Sequence, residues 1–420
     1  MAALYKKVMR KLEYISNKSR RYDFPATNGE WVKKANPVYG DENTDSVFDP
    51  YVLFFDGMYR LYVSERKNNG VDVCISADGV HWEKVGQALA PCAATGWEEK
   101  VNRVSVCCNA GKWYMWYTGQ NTKGSQIGLA VSNDGYRFDR ITENPVLKPE
   151  LSFEKQSVMN PCVLWDEDKL VYKMWYAAGE LFEPDVLCYA ESKDGMSWVK
   201  HSRPILEKSD NNYDSSKVGG CDVKKLSSSE YVMYYIGYQN VDTARICCAL
   251  SHDGIDWTRI VNNPVLSPEK DSWDSDAVYK PAVILRDTWQ LWYNGRKGNK
   301  EYIGYARRER ATMINNREEY LYYLEQDRLA LGIPDGIMRP RFSRDYVWRF
   351  ERLMRKLEFW TNCKNEGLGK IYTLLLKYRY QKMSMKLGFS IPINCFAEGL
   401  YISHYGTIVV NSRARIGKNC

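Results

Sequence analysis

Apolar positions recur along this chain with a long period. The pattern V-x-o-x-x-V appears at Val47/Val52, Val101/Val106, Val158/Val163, Val218/Val223 and Val278/Val283, at intervals of 54 to 60 residues. Each copy leads into a second apolar run carrying an aromatic: Leu61-Tyr62, Met115-Trp116-Tyr117, Met174-Trp175-Tyr176, Met233-Tyr234-Tyr235 and Leu291-Trp292-Tyr293. Four copies continue into S-x-D-G-x-x-[WF], at Ser76–Trp82, Ser132–Phe138, Ser192–Trp198 and Ser251–Trp257. Asp-Gly between strand-like runs predicts a hairpin, because glycine takes positive φ at little cost. The aromatic three residues after the glycine is expected to pack the outer strand onto its own sheet. Units of three or four short antiparallel strands repeated at this length predict propeller blades. The fold class is mainly β, a five-bladed β-propeller over residues 25–310, followed by smaller C-terminal pieces.

The fifth copy lacks the hairpin, and its missing strand lies at the other end of the chain. Asn28-Gly29-Glu30-Trp31 followed by Asn36-Pro37-Val38 copies Asp253–Trp257 followed by Asn263-Pro264-Val265. This N-terminal strand is expected to complete blade five and leave no open sheet edge.

Past residue 310 the period changes. Residues 316–331, 345–363 and 368–386 have helical spacing, with a break at Gly332–Gly336. The third helix is basic, and its default reading is the solvated face of a packed helical unit. Residues 1–24 form a basic helical stub. Within it Val8-Met9-Arg10-Lys11-Leu12-Glu13-Tyr14 repeats Leu353–Phe359 with five consecutive identities.

Composition narrows the function classes. A chain of 420 residues calls for at least two domains, and 44% hydrophobic with 26% charged residues describes an ordered globular protein. Residues 1–24 carry a net charge of +5 and residues 307–420 a net +10, so the body between them is net −8. An acidic body argues against a nucleic-acid groove. No apolar run is long enough to span a bilayer, and the N-terminus lacks the apolar core of a signal peptide. Twelve cysteines in that setting are expected to be reduced, in a cytoplasmic protein. Repeat alignment sets Cys74, Cys188 and Cys247 opposite Ala or Gly, so these cysteines fill small buried positions. With four histidines in the chain, no metal site is expected.

The middle position of the five V-x-o-x-x-V copies holds Asp49, Arg103, Asn160, Gly220 and Lys280. If it faces the central channel, one carboxylate, one amide and two cations meet there. Glu65, Arg66, Gln120, Glu180, Tyr238, Asn294 and Arg296, which follow the second strands, are expected nearby. This pattern, with Asp49-Pro50 opening blade one, resembles the five-bladed glycosidases of the arabinanase, invertase and levansucrase type, similar to glycoside hydrolase family 43. The resemblance implies that Asp49 is the catalytic base or nucleophile. Its second Asp falls on Asn160 and its general acid on Gly219-Gly220, so one of three family carboxylates is present. Glycoside hydrolysis ordinarily needs a carboxyl pair. Glu180 or Asp222 could supply the acid only if a loop or an altered register brings it inward. A glycan-binding channel is therefore favoured, with Arg103, Asn160, Lys280, Glu180 and Glu65 as substrate-binding residues. Arg103 and Lys280 suit a phosphorylated or acidic sugar; the alternative is that they only neutralise channel acids. The acids after aromatics (Glu98, Glu154, Asp214 and Asp274) recur periodically, four times, and are read as structural.

The C-terminal helices, Gly388–Pro392, Gly399–Ile402, Ser403-His404-Tyr405-Gly406-Thr407 and Ile416–Cys420 resemble serine acetyltransferases of polysaccharide gene clusters. The resemblance implies a helical segment over 311–388 and the first coils of a left-handed β-helix over 389–420. Spacing of six at Ile402/Ile408 and Val410/Ile416 accords with it. His404 matches the family's general base, an imidazole suited to take a serine hydroxyl proton. The helper Asp falls on Phe389. Acetyl-CoA is the implied co-substrate, but the chain stops at Cys420, before the coils that bind it and form the family's oligomer. The combined expectation is a bacterial protein of surface-polysaccharide metabolism, a glycan- or sugar-phosphate-binding propeller joined to a serine O-acetyltransferase-like part. Alternatives are an active glycoside hydrolase using Asp49, an acetyltransferase completed by another chain, and a non-catalytic glycan scaffold.

Overall fold

The computed structural model describes residues 31–41, 44–181, 184–227, 230–240, 242–286, 289–308, 314, 317–334, 340–341, 345–412, 414, 416 and 420. The basic stub 1–24 and the Asn28–Glu30 part of the N-terminal strand lie outside the described residues. The chain divides into a β unit, Glu30–Glu309, and a unit whose described residues run from Ile314 to Cys420.

The β unit opens with β1 (Val32–Lys33). Sheet one holds β2 (Val47–Phe55), β3 (Met58–Glu65), β4 (Gly70–Ser76) and β5 (Glu83–Leu89). Sheet two holds β6 (Lys100–Asn109), β7 (Lys112–Gln120), β8 (Ser125–Ser132) and β9 (Asp139–Arg140). Sheet three holds β10 (Ser157–Asp166), β11 (Val171–Gly179), β12 (Pro184–Ser192) and β13 (Val199–Lys200). Sheet four holds β14 (Lys217–Ser227), β15 (Glu230–Tyr238), β16 (Ala244–Ser251) and β17 (Trp257–Arg259). Sheet five holds β18 (Ala277–Leu285), β19 (Trp289–Lys297) and β20 (Lys300–Arg308), with β1 as its fourth strand, Val32 opposite Arg307. All five are antiparallel, and one parallel pair, Ser125 with Ser157, joins sheets two and three. The first strands lie against one another in sequence: β2 on β6, β6 on β10, β10 on β14, β14 on β18, and β18 on β2.

The repeat explains how the sheets hold one another. In every S-x-D-G hairpin the serine hydroxyl accepts the glycine N–H, at 2.8 to 2.9 Å, and the aspartate accepts the next two backbone N–H groups. Those N–H bonds draw Asp194 down to about 2. The hairpin glycines take φ of +76° to +83°, and their carbonyls accept a side-chain donor from the preceding sheet. Tyr62 donates to Gly135 at 2.6 Å, Trp116 to Gly195 at 2.9 Å, Trp175 to Gly254 at 2.7 Å and Trp292 to Gly79 at 2.7 Å. The aromatic after each turn does not only pack on its own sheet, which corrects the expectation. Phe138 meets Tyr62, Trp198 meets Trp116, and Trp82 meets Trp292, each edge-on across to the preceding sheet. Such pairs contribute about 0.5–1.5 kcal/mol each beyond burial.

The recurring acids are structural in each sheet where they occur. Glu98, Glu154, Asp214 and Asp274 are buried and paired with Arg140, Lys200, Arg259 and Lys33, at 2.6 to 2.9 Å. The first three cations sit on outer strands β9, β13 and β17, and Lys33 on β1 does the same for sheet five. Cys74, Cys188 and Cys247 are buried as expected, and burial pushes the Cys74 thiol up to about 12.

The second unit has three helices, α1 (Arg317–Ala330), α2 (Tyr346–Cys363) and α3 (Leu368–Leu387), followed by a short parallel coil. In the coil β21 (Phe389–Ser390) pairs with β22 (Ile408–Val409), and Phe396 bridges Ile416. Phe350 of α2 stacks on Tyr380 of α3 and meets Phe389 edge-on. A buried polar network ties the coil to the helices. Arg355 bonds Asp327, Glu358 and the carbonyls of Phe396 and Ala397. Asp327 accepts the N–H groups of Gly399 and Leu400, and Glu351 accepts that of Ile402. Burial, with Asp327 adding repulsion, pushes Glu351 up to about 9.

Two outcomes follow. Gly195→Ala places a Cβ 2.9 Å from the Trp116 ring at positive φ; it should lower stability by about 1–3 kcal/mol in chemical denaturation. Glu351 binds its proton in the folded chain and releases it on unfolding between about pH 4.5 and 9, so its contribution falls as pH rises through that window. Thermal melts should show a Glu351→Gln advantage over the native chain that grows from pH 5 to pH 9; an advantage independent of pH would contradict this.

A candidate functional site at the first strands

The V-x-o-x-x-V middle position is a β-bulge. Strand pairing slips between Phe48 and Tyr51, Asn102 and Ser105, Met159 and Cys162, Gly219 and Cys221, and Tyr279 and Ala282. Asp49, Arg103, Asn160 and Lys280 take φ of +48° to +56° there. A non-glycine residue in that region is strained, and bulges beside functional sites commonly re-aim a side chain. At Gly220 the φ is not positive, and the missing Cβ is what makes room: a Cβ would stand 2.6 Å from Asn160 Cγ.

Asp49 is buried, its N–H donates to Asn294 Oδ1 at 2.8 Å, and its Oδ2 lies 3.3 Å from Arg103 Nε. That contact is an ion pair without hydrogen-bond geometry, so Oδ2 is left without a hydrogen-bond partner among the described residues. Burial raises the Asp49 carboxyl above the usual range; Arg103 and Lys280 oppose the shift, and Glu301 adds to it. Lys280, on the equivalent bulge of sheet five, is 2% exposed.

A cavity of roughly 340 Å³ opens beside this group. Its walls include Asp49, Glu65, Glu301, Arg66, Lys100, Arg103 and Arg296. Glu301 pairs with Arg66 and accepts the Tyr279 hydroxyl. Three of its lining residues have buried polar atoms without hydrogen-bond partners, Asp49 Oδ2, Asn102 Oδ1 and Arg296 Nε, and Asn294, whose Nδ2 is also unpartnered, holds the Asp49 N–H. Buried polar atoms in proteins are normally satisfied, so a group of orphans at one place marks where water or a ligand belongs.

The residues singled out in the sequence separate here. Asp49, Arg103 and Glu65 line the cavity, and the charge of Lys280 acts on Asp49. Asn160 is buried, with its N–H on Thr118 Oγ1 at 3.0 Å. Glu65 bonds Asn68 and Lys84, and although burial opposes its charge, Asp72 and Lys84 lower it overall. Glu180 stands outside the cavity lining, exposed, on Lys217 at 2.9 Å and Lys155 at 3.6 Å. Asp222 is no spare acid: it accepts the Val283 N–H at 2.5 Å and pairs with Lys224. It makes the sheet-to-sheet link that Ser105 makes to Val163 and Cys162 to Val223. Glu301 was not anticipated. It faces Arg296 where Ser125 faces Gln120 and Ala244 faces Tyr238, so a lone charge in a column of small residues was the available signal.

In the second unit His404 is exposed, and its recorded polar contact is Nδ1 with the Tyr405 carbonyl at 3.1 Å. Phe389, at the helper position, is buried against Phe350. Among the described residues no group of His, Cys, Asp and Glu could hold a metal ion, and no helix is long and apolar enough to cross a membrane.

Residues 72–215 match the glycosyl hydrolases family 32 N-terminal domain. Uncharacterized proteins of Mycobacterium tuberculosis strains CDC 1551 / Oshkosh and H37Rv are 31% identical over 181 and 182 residues, 40% of this chain. The chain spans 58% of the length of these relatives. Three solved structures share the fold. A glycoside hydrolase has a TM-score of 0.57 at 19% identity, covering 71% of this chain and 94% of its own. A thermostable family-43 glycoside hydrolase has a TM-score of 0.53 at 19%, covering 63% and 91%. A β-1,2-mannobiose phosphorylase from Listeria innocua has a TM-score of 0.53 at 15%, covering 67% and 97%. The β unit therefore shares its fold with these carbohydrate-active enzymes, and residues 72–215 within it carry the family-32 match.

Asn294→Ala should remove the acceptor that holds the Asp49 bulge and leave a buried N–H unpaired. A loss of about 1–3 kcal/mol in urea unfolding is expected; no change would show that the bulge holds itself.

Proposed function

We propose that the β unit is a five-bladed propeller of glycosidase ancestry that binds a glycan or sugar phosphate in the cavity beside Asp49. We further propose that it is joined to a serine O-acetyltransferase-like unit in bacterial surface-polysaccharide metabolism. The observation that carries the first part is the convergence of Asp49, Arg103 and several orphaned polar atoms on one cavity. Sugar hydroxyls both donate and accept, and would satisfy such a mixed set, while the cations would take a phosphoryl group. The cyclic order of first strands and the β1 contribution to sheet five support the propeller reading. The acetyltransferase reading is supported by three helices leading into a parallel coil with His404 at its surface, with acetyl-CoA as the implied co-substrate.

Calorimetric titration with neutral oligosaccharides and hexose phosphates tests the first part. Binding is expected, weakened about tenfold or more by Arg103→Gln; a chain that takes neither ligand class would refute it. Titration with coenzyme A tests the second, and absence of heat at millimolar concentration would exclude an assembled acyl-donor site.

A further inference from the structure

A helix packed on one side normally turns a polar face to water. In the second unit α2 does this: none of its large apolar side chains is exposed among the described residues. Helix α3 differs. Its inner face buries Tyr372, Leu376, Tyr380 and Leu387. Its outer face carries Ile371, Leu374, Tyr378 and Met385, each 52–77% exposed. At 3.6 residues per turn these four fall within about 60° of arc, on the side away from the buried residues. The solvated face expected for this helix from its basic sequence is therefore an apolar stripe.

Charge is arranged around the stripe. No Asp or Glu occurs from Gly367 to Ala397, while Lys370, Lys377, Arg379, Lys382 and Lys386 all fall there. The same helical geometry sets Lys370 and Lys377 along one border of the stripe and Arg379, Lys382 and Lys386 along the other. All five cations are exposed. A groove of roughly 880 Å³ adjoins the stripe, between α3 and Phe389–Ile393. Leu374 and Met385 belong to both, Leu357, Phe389 and Ile391 extend the apolar wall, and the charged residues of the lining are Lys370 and Lys377.

An occupant of this face must be apolar along its middle and negative along both borders. A second copy presenting the same face would set five cations against five. A nucleic acid would satisfy the cations and leave Leu374, Tyr378 and Met385 against phosphates. The surface of an anionic bilayer meets both demands. Apolar side chains enter the acyl boundary, lysine and arginine stems lie along apolar surface with their charges among the headgroups, and tyrosine suits the level between them.

We infer that α3 rests lengthwise on an anionic lipid bilayer, with Ile371, Leu374, Tyr378 and Met385 at the acyl boundary and the five cations among the phosphate headgroups. The contact is peripheral, since no helix among the described residues is long and apolar enough to cross a membrane. It does not rest on the carbohydrate reading of the β unit.

The full chain is sedimented with vesicles of phosphatidylcholine alone, and with vesicles in which a third of the lipid is phosphatidylglycerol. Binding to the anionic vesicles is expected at low ionic strength, about tenfold or more weaker on neutral vesicles and at high salt. Leu374→Ser with Met385→Ser, and separately Lys377→Gln with Lys382→Gln, should each weaken it about tenfold or more. All four side chains are exposed, so both double variants should fold, which circular dichroism checks. Absence of vesicle binding, or equal binding to both vesicle types, would overturn the inference. Loss in one variant only would reduce the contact to charge alone or to apolar association alone, and overturn it too. Binding that survives both variants would place the contact elsewhere on the chain. Association of copies in analytical ultracentrifugation, broken by the Leu374/Met385 variant and without vesicle binding, would assign the stripe to an interface between copies instead.

Discussion

The β unit depends on one recurring hydrogen bond, from an aromatic donor on a second strand to the glycine carbonyl of the next sheet's hairpin. Sheets packed only by apolar faces can slide. A directional bond from a buried indole or phenol to a fixed carbonyl sets their register. The bond also dictates the turn. The carbonyl is presented because the glycine adopts positive φ, and the glycine can do so because serine and aspartate satisfy the surrounding N–H groups. The S-x-D-G motif is therefore a docking socket as much as a hairpin, and its conserved spacing within the chain belongs to the interface between sheets.

That rigidity is what permits strain at the first strands. Four non-glycine residues in left-handed conformation are unfavourable individually, and they persist only where the frame over-determines them. The bulge turns Asp49 and Arg103 to the cavity, and Asn294 from the neighbouring sheet holds the Asp49 backbone. The resulting site mixes a disfavoured buried carboxylate with cations that exceed it in number. This arrangement is unlike the paired carboxyls of ordinary glycoside hydrolysis.

Much of this was legible in the chain itself. The first strands were marked by V-x-o-x-x-V because both valines are buried in every copy, and the helices at 317–330, 346–363 and 368–387 fall within a residue or so of their periodicity. The turn of Asp49 and Arg103 to the cavity was readable because a polar residue interrupts an apolar strand at the same place in four of the five copies. Interactions between sheets were harder to read. Trp198 reaches Trp116 across 82 residues, and repeat periodicity says which residues are equivalent, not which neighbour they touch. Glu180 aligns with cavity residues, yet two lysines hold it in solvent. Asp222 reads as a spare acid until its partner Val283 is seen. The Arg355 network in the helical unit, joining α1, α2 and the coil, leaves no periodic trace.

Lys33 meets Asp274 across 241 residues of chain, and β1 completes a sheet whose other strands come last in the β unit. Bringing such distant segments together costs about 5 kcal/mol in loop entropy. During synthesis the first segment of the sheet emerges long before its partners exist. It must wait, unpaired, while four sheets assemble behind it. Sheet five can therefore be completed only once the whole β unit has been made, and pairings between segments so far apart in the chain are the kind that slow folding.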